Sequence, residues 1–252
     1  MNTQAKAIED YRNQIRRCAQ SLAVANTKVV THYLPKTEKL EMVDVYAEGN
    51  LDKRIWKLGD QFEFMKEEFD QLDEWIQTYI HTVPLAAYDT GSTDSVLFLD
   101  WLEKHMTLTP EQQDYVTCHR SRIEVEEIAR ENRMGHVRFQ EILSATKEVA
   151  EELSSNRSTW IHLNPIRVWA RFETNILTGE DESGPTTVVF FPVGNEIRTT
   201  ILEPIAQIVL DELESQPSCR MSELTGTFPP EQREAVVDIC RDLAELGLVA
   251  FG

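Results

Sequence analysis

The stretch from Ile166 to Ile201 constrains the fold more tightly than any other part of the chain. Ile166-Arg167-Val168-Trp169-Ala170-Arg171-Phe172 alternates strictly. Ile166, Val168, Ala170 and Phe172 share one face of a strand, and Arg167, Trp169 and Arg171 share the other. After the polar loop Thr178–Pro185 comes Thr187-Val188-Val189-Phe190-Phe191-Pro192-Val193, then Gly194-Asn195, then Glu196-Ile197-Arg198-Thr199-Thr200-Ile201. Gly194-Asn195 can supply the positive-φ positions of a two-residue turn, so the chain reverses directly into a hairpin. Three helical segments follow. Pro204 opens one with Ile205, Ile208, Val209 and Leu213, Met221–Leu224 makes a short second, and Pro230 starts a third with Val236, Val237, Cys240, Leu243 and Ala244 inward. Leu248–Phe251 closes the chain. A three-stranded antiparallel sheet plus three helices is a winged-helix-like domain. Domains of that shape hold something elongated, either a DNA groove or a peptide strand added to the sheet edge.

The residues before this region read as helix. The first helix spans about Thr3–Ala25, an irregular stretch covers Thr27–Leu40, and helical character resumes from Val43 to Ile80 with breaks. Phe69, Leu72, Ile76, Tyr79, Ile80 and Val83 recur at three and four, one buried stripe, which Pro84 ends. Tyr88–Ser95 is a loop of turn formers and N-caps. Further helices follow at Val96–His105, from the Thr109-Pro110 start to Asn132, and at His136–Leu153. Composition shifts at Ser154–Ser158. The expected organisation is therefore α+β, with an all-helical domain at 1–157 and the winged-helix-like domain at 158–252.

Charge selects between the two kinds of guest. The 252 residues carry 43 acidic and 25 basic side chains, a net charge of −18. Nucleic-acid binding draws on phosphate neutralisation and favours a basic face. The balance therefore favours a protein partner over DNA, and the winged-helix regulator, with Arg233 and Arg241 on its recognition helix, is the alternative. Cys18, Cys118, Cys219 and Cys240 form no CxxC pair and read as free thiols of a reducing compartment. The N-terminus lacks signal-peptide character and no run is long enough to span a membrane, so a cytoplasmic location is expected.

Motifs for independent catalysis are missing. The six histidines form no HExxH or HxH, and GxSxG, Walker and GxGxxG patterns are absent. A site assembled from His119, Glu124 and His136 is the remaining enzymatic reading, and the expectation is that the chain is not itself an enzyme. Two clusters could meet a partner. His119, Arg120, Arg122 and Glu124 lie in mid-helix, either as a salt-bridged solvated face or as an interface pairing with carboxylates. Arg167, Trp169 and Arg171 form a sheet face expected to meet solvent, with the tryptophan either packed under arginine stems or offered as an interface anchor. The strand Glu196, Ile197, Arg198, Thr199, Thr200, Ile201 is short and polar. As an edge strand it is either covered by the N-terminal domain or accepts a guest peptide, with Arg233, Val237 and Arg241 of the third helix forming the opposite wall of a cleft.

The order of elements carries a resemblance. Asp44-Val45-Tyr46-Ala47-Glu48-Gly49-Asn50, the Phe69–Pro84 helix, Phe98-Leu99-Asp100-Trp101-Leu102, the Arg120–Glu131 helix and Trp160-Ile161-His162-Leu163-Asn164-Pro165 precede the strand, hairpin and three helices. The chain resembles the partner subunits of multinuclear non-haem iron oxidases that modify ribosomally made peptides, such as those of methanobactin and thiaglutamate biosynthesis. Ala47-Glu48-Gly49 departs from that family, which tends to carry an arginine there. The resemblance implies a heterodimer with a catalytic TIM-barrel subunit that holds the iron. It implies no cofactor in this chain. It also implies a precursor peptide whose leader is bound by the sheet-and-helix module and whose core cysteine is presented to the partner.

Overall fold

A computed structural model describes residues 3–23, 40–83, 93–150, 158–174, 176–177 and 185–252. The expected irregular stretch at 27–39, the turn-rich loop at 88–92, the composition shift at 154–157 and the acidic loop at 178–184 lie outside these residues. The chain divides into two compact units, Met1–Gln113 and Asp114–Gly252. This partition differs from a boundary near 157, because two long helices belong with the sheets that follow them.

The first unit is helical: α1 (Thr3–Ala23), α2 (Leu40–Gln61), a 3-10 turn (Glu63–Met65), α3 (Leu72–Thr82), α4 (Asp94–His105) and the first turn of α5 (Pro110–Glu131). The stripe read at three and four is its core. Phe69, Leu72, Ile76, Tyr79 and Ile80 are buried with Phe62, Phe98, Leu99, Trp101 and Leu102. Thr93 caps α4 through its side chain, and Thr109 with Gln112 forms a reciprocal capping box at the start of α5. Under this core the Arg54 guanidinium clasps Asp94 in two parallel bonds of 2.6 and 2.7 Å. Its Nη1 donates to the Val83 carbonyl at 2.9 Å, and Tyr79 donates its hydroxyl to the same carboxylate at 2.7 Å.

The second unit continues α5 and adds α6 (Arg133–Ala150), β1 (Trp160–Leu163), β2 (Val168–Phe172), β3 (Thr186–Val193), β4 (Glu196–Ile201), α7 (Pro204–Ser215), β5 (Ser218–Arg220), α8 (Met221–Gly226), α9 (Arg233–Leu246) and β6 (Val249–Phe251). Two small three-stranded antiparallel sheets are interleaved with these helices, in the orders β2-β3-β4 and β5-β1-β6. The single sheet expected from the sequence is thus accompanied by a second, built from strands of three or four residues. β1 runs down its centre, pairing Ile161 with Cys219 on one side and with Phe251 on the other.

The β2-β3-β4 sheet is covered on both faces, which explains why β3 reads as a continuous apolar run. Val168, Ala170, Phe172, Val188 and Phe190 pack with Ile166 against Val125, Cys118, Ile128 and Ala129 of α5. Val189 and Phe191 point the other way, into a cluster built by α7, α8, α9 and the second sheet. This corrects the expectation that the Arg167-Trp169-Arg171 face meets solvent. Trp169 packs against that cluster, and its indole N–H donates to Glu214 at 2.9 Å. Arg167 donates to the same carboxylate at 3.0 Å, so only Arg171 is left exposed. Ile205 and Ile208 on α7 are 38% and 53% exposed, while Val209, Leu210 and Leu213 form the buried side. No helix among the described residues is long and apolar enough to cross a membrane.

Candidate functional site

The hairpin turn settles which backbone groups of β4 are free. Val193 pairs with Glu196 across the two-residue turn, and the register continues as Ile197 with Pro192, Arg198 with Phe191, Thr199 with Phe190 and Thr200 with Val189. A pair closing a two-residue turn exchanges its hydrogen bonds, and the bonded and non-bonded pairs then alternate. Glu196, Arg198 and Thr200 therefore bond to β3, and the amides and carbonyls of Ile197, Thr199 and Ile201 point outward, the Ile201 carbonyl accepting from the Thr200 hydroxyl at 3.3 Å. Pro192 sits in a non-bonded pair, where its lack of an N–H costs the hairpin nothing. β4 ends its sheet, and no strand pairs with its outer edge among the described residues.

The hairpin is held from behind. Gln140 of α6 accepts from the Gly194 N–H at 3.1 Å and reaches the Pro192 carbonyl at 3.5 Å. Gly194 has φ +62°, the left-handed region the turn requires. Asn164 donates its side-chain amide to Pro192 O at 3.2 Å and to Gly247 O at 3.1 Å, and its Oδ1 accepts from Ile166 N–H at 3.0 Å. Gly247 ends α9 at φ +90°, with Leu248 N–H bonded to Leu243 O and Gly247 N–H to Ala244 O, a Schellman turn. One fully buried asparagine therefore ties the hairpin, the end of α9 and the β1–β2 connection together. At the front, Arg198 donates to Leu246 O at 3.3 Å, linking the edge strand to the last turn of α9.

The residues expected on the helical wall are less available than the sequence suggests. Arg233, Val237 and Arg241 share one half-buried flank of α9. Arg233 donates to Phe228 O, Arg241 is paired with Asp238 at 2.8 Å, and Val237 packs against the core. The fully exposed face of α9 carries Glu234, Asp238, Asp242 and Glu245 instead. Beside the end of β4, Ile201, Ile205 and Ile208 are exposed. Sequence reasoning missed Gln140 and the outward turn of Ile205 and Ile208. The spacing of 205, 208 and 212, with Glu212 third, was the signal for the latter.

The cluster expected to meet a partner separates on α5. Arg122 and Glu124 are exposed, Arg120 is half-buried, and His119 is buried, so His119 is not available at a surface. Burial, with the Arg122 charge second, pulls the His119 pKa from 6.5 down to about 4. The ring is thus neutral in the fold and takes up a proton on unfolding. The stability this provides is present above pH 6.5 and is lost as pH falls through 4. Between pH 7 and 5 the loss is roughly 2 kcal/mol. Urea unfolding at the two pH values checks this, and His119→Gln should remove that part of the pH dependence.

The structure does not assemble an enzymatic site from His119, Glu124 and His136: His119 is buried and Glu124 exposed on α5, while His136 lies on α6 with its Nδ1 buried and unbonded. Among the described residues no three His, Cys, Asp or Glu side chains are grouped to hold a metal ion. No protein-family model, curated protein or solved structure matches the chain.

Proposed function

We propose that this chain is the non-catalytic partner subunit of an iron-dependent oxidase that modifies a ribosomally made peptide. In this reading the second unit is a winged-helix-like recognition module. It takes the leader of the precursor peptide as a fourth strand on β4 and presents the core cysteine to the iron held by a separate TIM-barrel subunit. The observation that carries the reading is the free outer edge of β4, with the backbone groups of Ile197, Thr199 and Ile201 turned outward on a hairpin fixed by Gln140 and Asn164. Strand addition needs such a row of groups, and side chains beside it choose the sequence. Arg122 and Glu124 on α5 remain exposed for the catalytic subunit, together with Arg171. The DNA-binding alternative is disfavoured by the four carboxylates on the exposed face of α9, where phosphates would be repelled.

The test has two parts. A tagged pull-down of the full chain from its native cell, read by mass spectrometry for proteins and short peptides, should recover an iron-containing barrel protein and a small cysteine-bearing peptide. Thr199→Pro then removes one outward N–H while leaving the β3–β4 bonds in place. Peptide affinity should fall about tenfold or more, by calorimetry, with the circular dichroism unchanged. Unaltered affinity in a folded Thr199→Pro protein defeats strand addition.

A further inference from the structure

From Glu196 onward the chain is acidic out of proportion to its size, with eleven carboxylates against four arginines. Those arginines are already engaged. Arg198 donates to Leu246 O, Arg233 to Phe228 O and Arg241 to Asp238, while Arg220 lies 5.6 Å over the Trp160 ring. The carboxylates are not matched in the same way. Asp211, Glu212, Glu234 and Asp242 are exposed and have no cationic partner among the described residues.

Their placement on α7 is informative. Ile205, Ile208 and Glu212 follow one another at three and four, one outward stripe, with Asp211 beside it. Ile201, at the end of the edge strand, is exposed four residues before Ile205. On α7 two exposed isoleucines, close in the chain to the end of the free backbone edge, thus run into carboxylates within a turn, while the Ile201 side chain lies on the α5 face of the sheet with Val188. Along α9, Glu234, Asp238, Asp242 and Glu245 add a second acidic stripe.

We propose that the guest of this edge is an extended peptide segment that sets lysine or arginine beside an aliphatic or aromatic side chain. This inference rests on the strand-addition reading and adds the chemistry of the guest. The apolar side chain covers Ile205 and Ile208, and the cation lies against Glu212 and Asp211. The negative field of the module raises the encounter rate of a cationic segment and discourages an acidic one.

The experiment selects from a displayed library of random twelve-residue linear peptides on the immobilised full chain at about 50 mM salt, where screening is weak. Enriched peptides are remade and measured against the parent chain, Thr199→Pro, the Ile205→Ser/Ile208→Ser double variant and Glu212→Lys. The expected winners are cationic with an apolar residue adjacent. They should lose about tenfold or more in affinity for the double variant, which keeps the net charge, and likewise for Glu212→Lys. Exchanging their lysines and arginines for glutamate should abolish binding. Winners that are acidic or neutral but sensitive to Thr199→Pro overturn the charge inference and leave strand addition standing. Winners indifferent to Thr199→Pro, or no enrichment at all, overturn both. Cationic winners indifferent to the double variant show charge attraction alone and also overturn the proposal.

Discussion

Asn164→Ala should destabilise the second unit by roughly 3–5 kcal/mol, because it takes a hydrogen bond from three buried backbone groups at once. The side chain is fully buried and is bonded to Pro192 O, Gly247 O and Ile166 N–H. Alanine removes both donors and the acceptor, so Gly247 O and Ile166 N–H lose their side-chain partner and Pro192 O keeps only the long 3.5 Å contact with Gln140. Each buried polar group left unpaired costs about 1–3 kcal/mol, and the sum is tempered by local relaxation. The midpoint of thermal unfolding should fall by about 10 °C. Asn164→Asp sharpens the test. It keeps the acceptor for Ile166 but turns a carboxylate oxygen toward two carbonyls, so it should be at least as damaging as alanine. A tolerated aspartate would show that the donated bonds matter little. Scanning calorimetry and urea unfolding of the three proteins decide the matter.

The second large effect lies in the first unit. Arg54→Met should cost roughly 3–5 kcal/mol, the range expected when one partner of a buried ion pair is removed. Arg54 is 7% exposed, so its charge is tolerated only because Asp94 neutralises it through two bonds. Methionine fills much of the volume but leaves Asp94 without a counter-charge and the carbonyls of Ile80 and Val83 without their donor. Burial first, and the Asp94 hydrogen bond second, push the Tyr79 phenol well above its ordinary range, so it stays a donor to that carboxylate. Adding Asp94→Asn to Arg54→Met removes the orphaned charge, so the double variant should be more stable than the single one by urea unfolding. A single variant costing less than about 1 kcal/mol would mean that the pair behaves as a surface bridge.

These two residues also show what a sequence reader can and cannot see. The hairpin was legible because Gly194-Asn195 announces its turn locally, and the alternation of Ile166–Phe172 identifies a strand without outside help. The 69–80 stripe was legible for the same reason: its period is a property of one helix. Arg54 and Asp94 are forty residues apart, and each alone reads as an ordinary solvated charge. Asn164 stood out only as part of a short motif before a strand, and its role depends on a carbonyl in the hairpin and another after α9. The second sheet was missed because β5 and β6 have three residues each, too few to show a period. The Trp169 face was misjudged because the helices that cover it come much later in the chain. At the candidate site, the edge strand could be read from its polarity. Which of its groups point outward needed the pairing register, and which isoleucines face outward on α7 needed the packing.

The hairpin carrying that edge is gripped at the turn by Gln140, at Pro192 by Asn164 and at Arg198 by the last carbonyl of α9. A receptor strand held at three points has little conformational freedom left to surrender when a guest arrives. In the proposed strand addition, nearly all of the ordering entropy would fall on the guest, which must leave an unfolded ensemble for a single extended conformation. Affinity at such an edge is tuned most readily by stiffening the peptide, for instance with residues that favour extended backbone, and hardly at all by stiffening the protein.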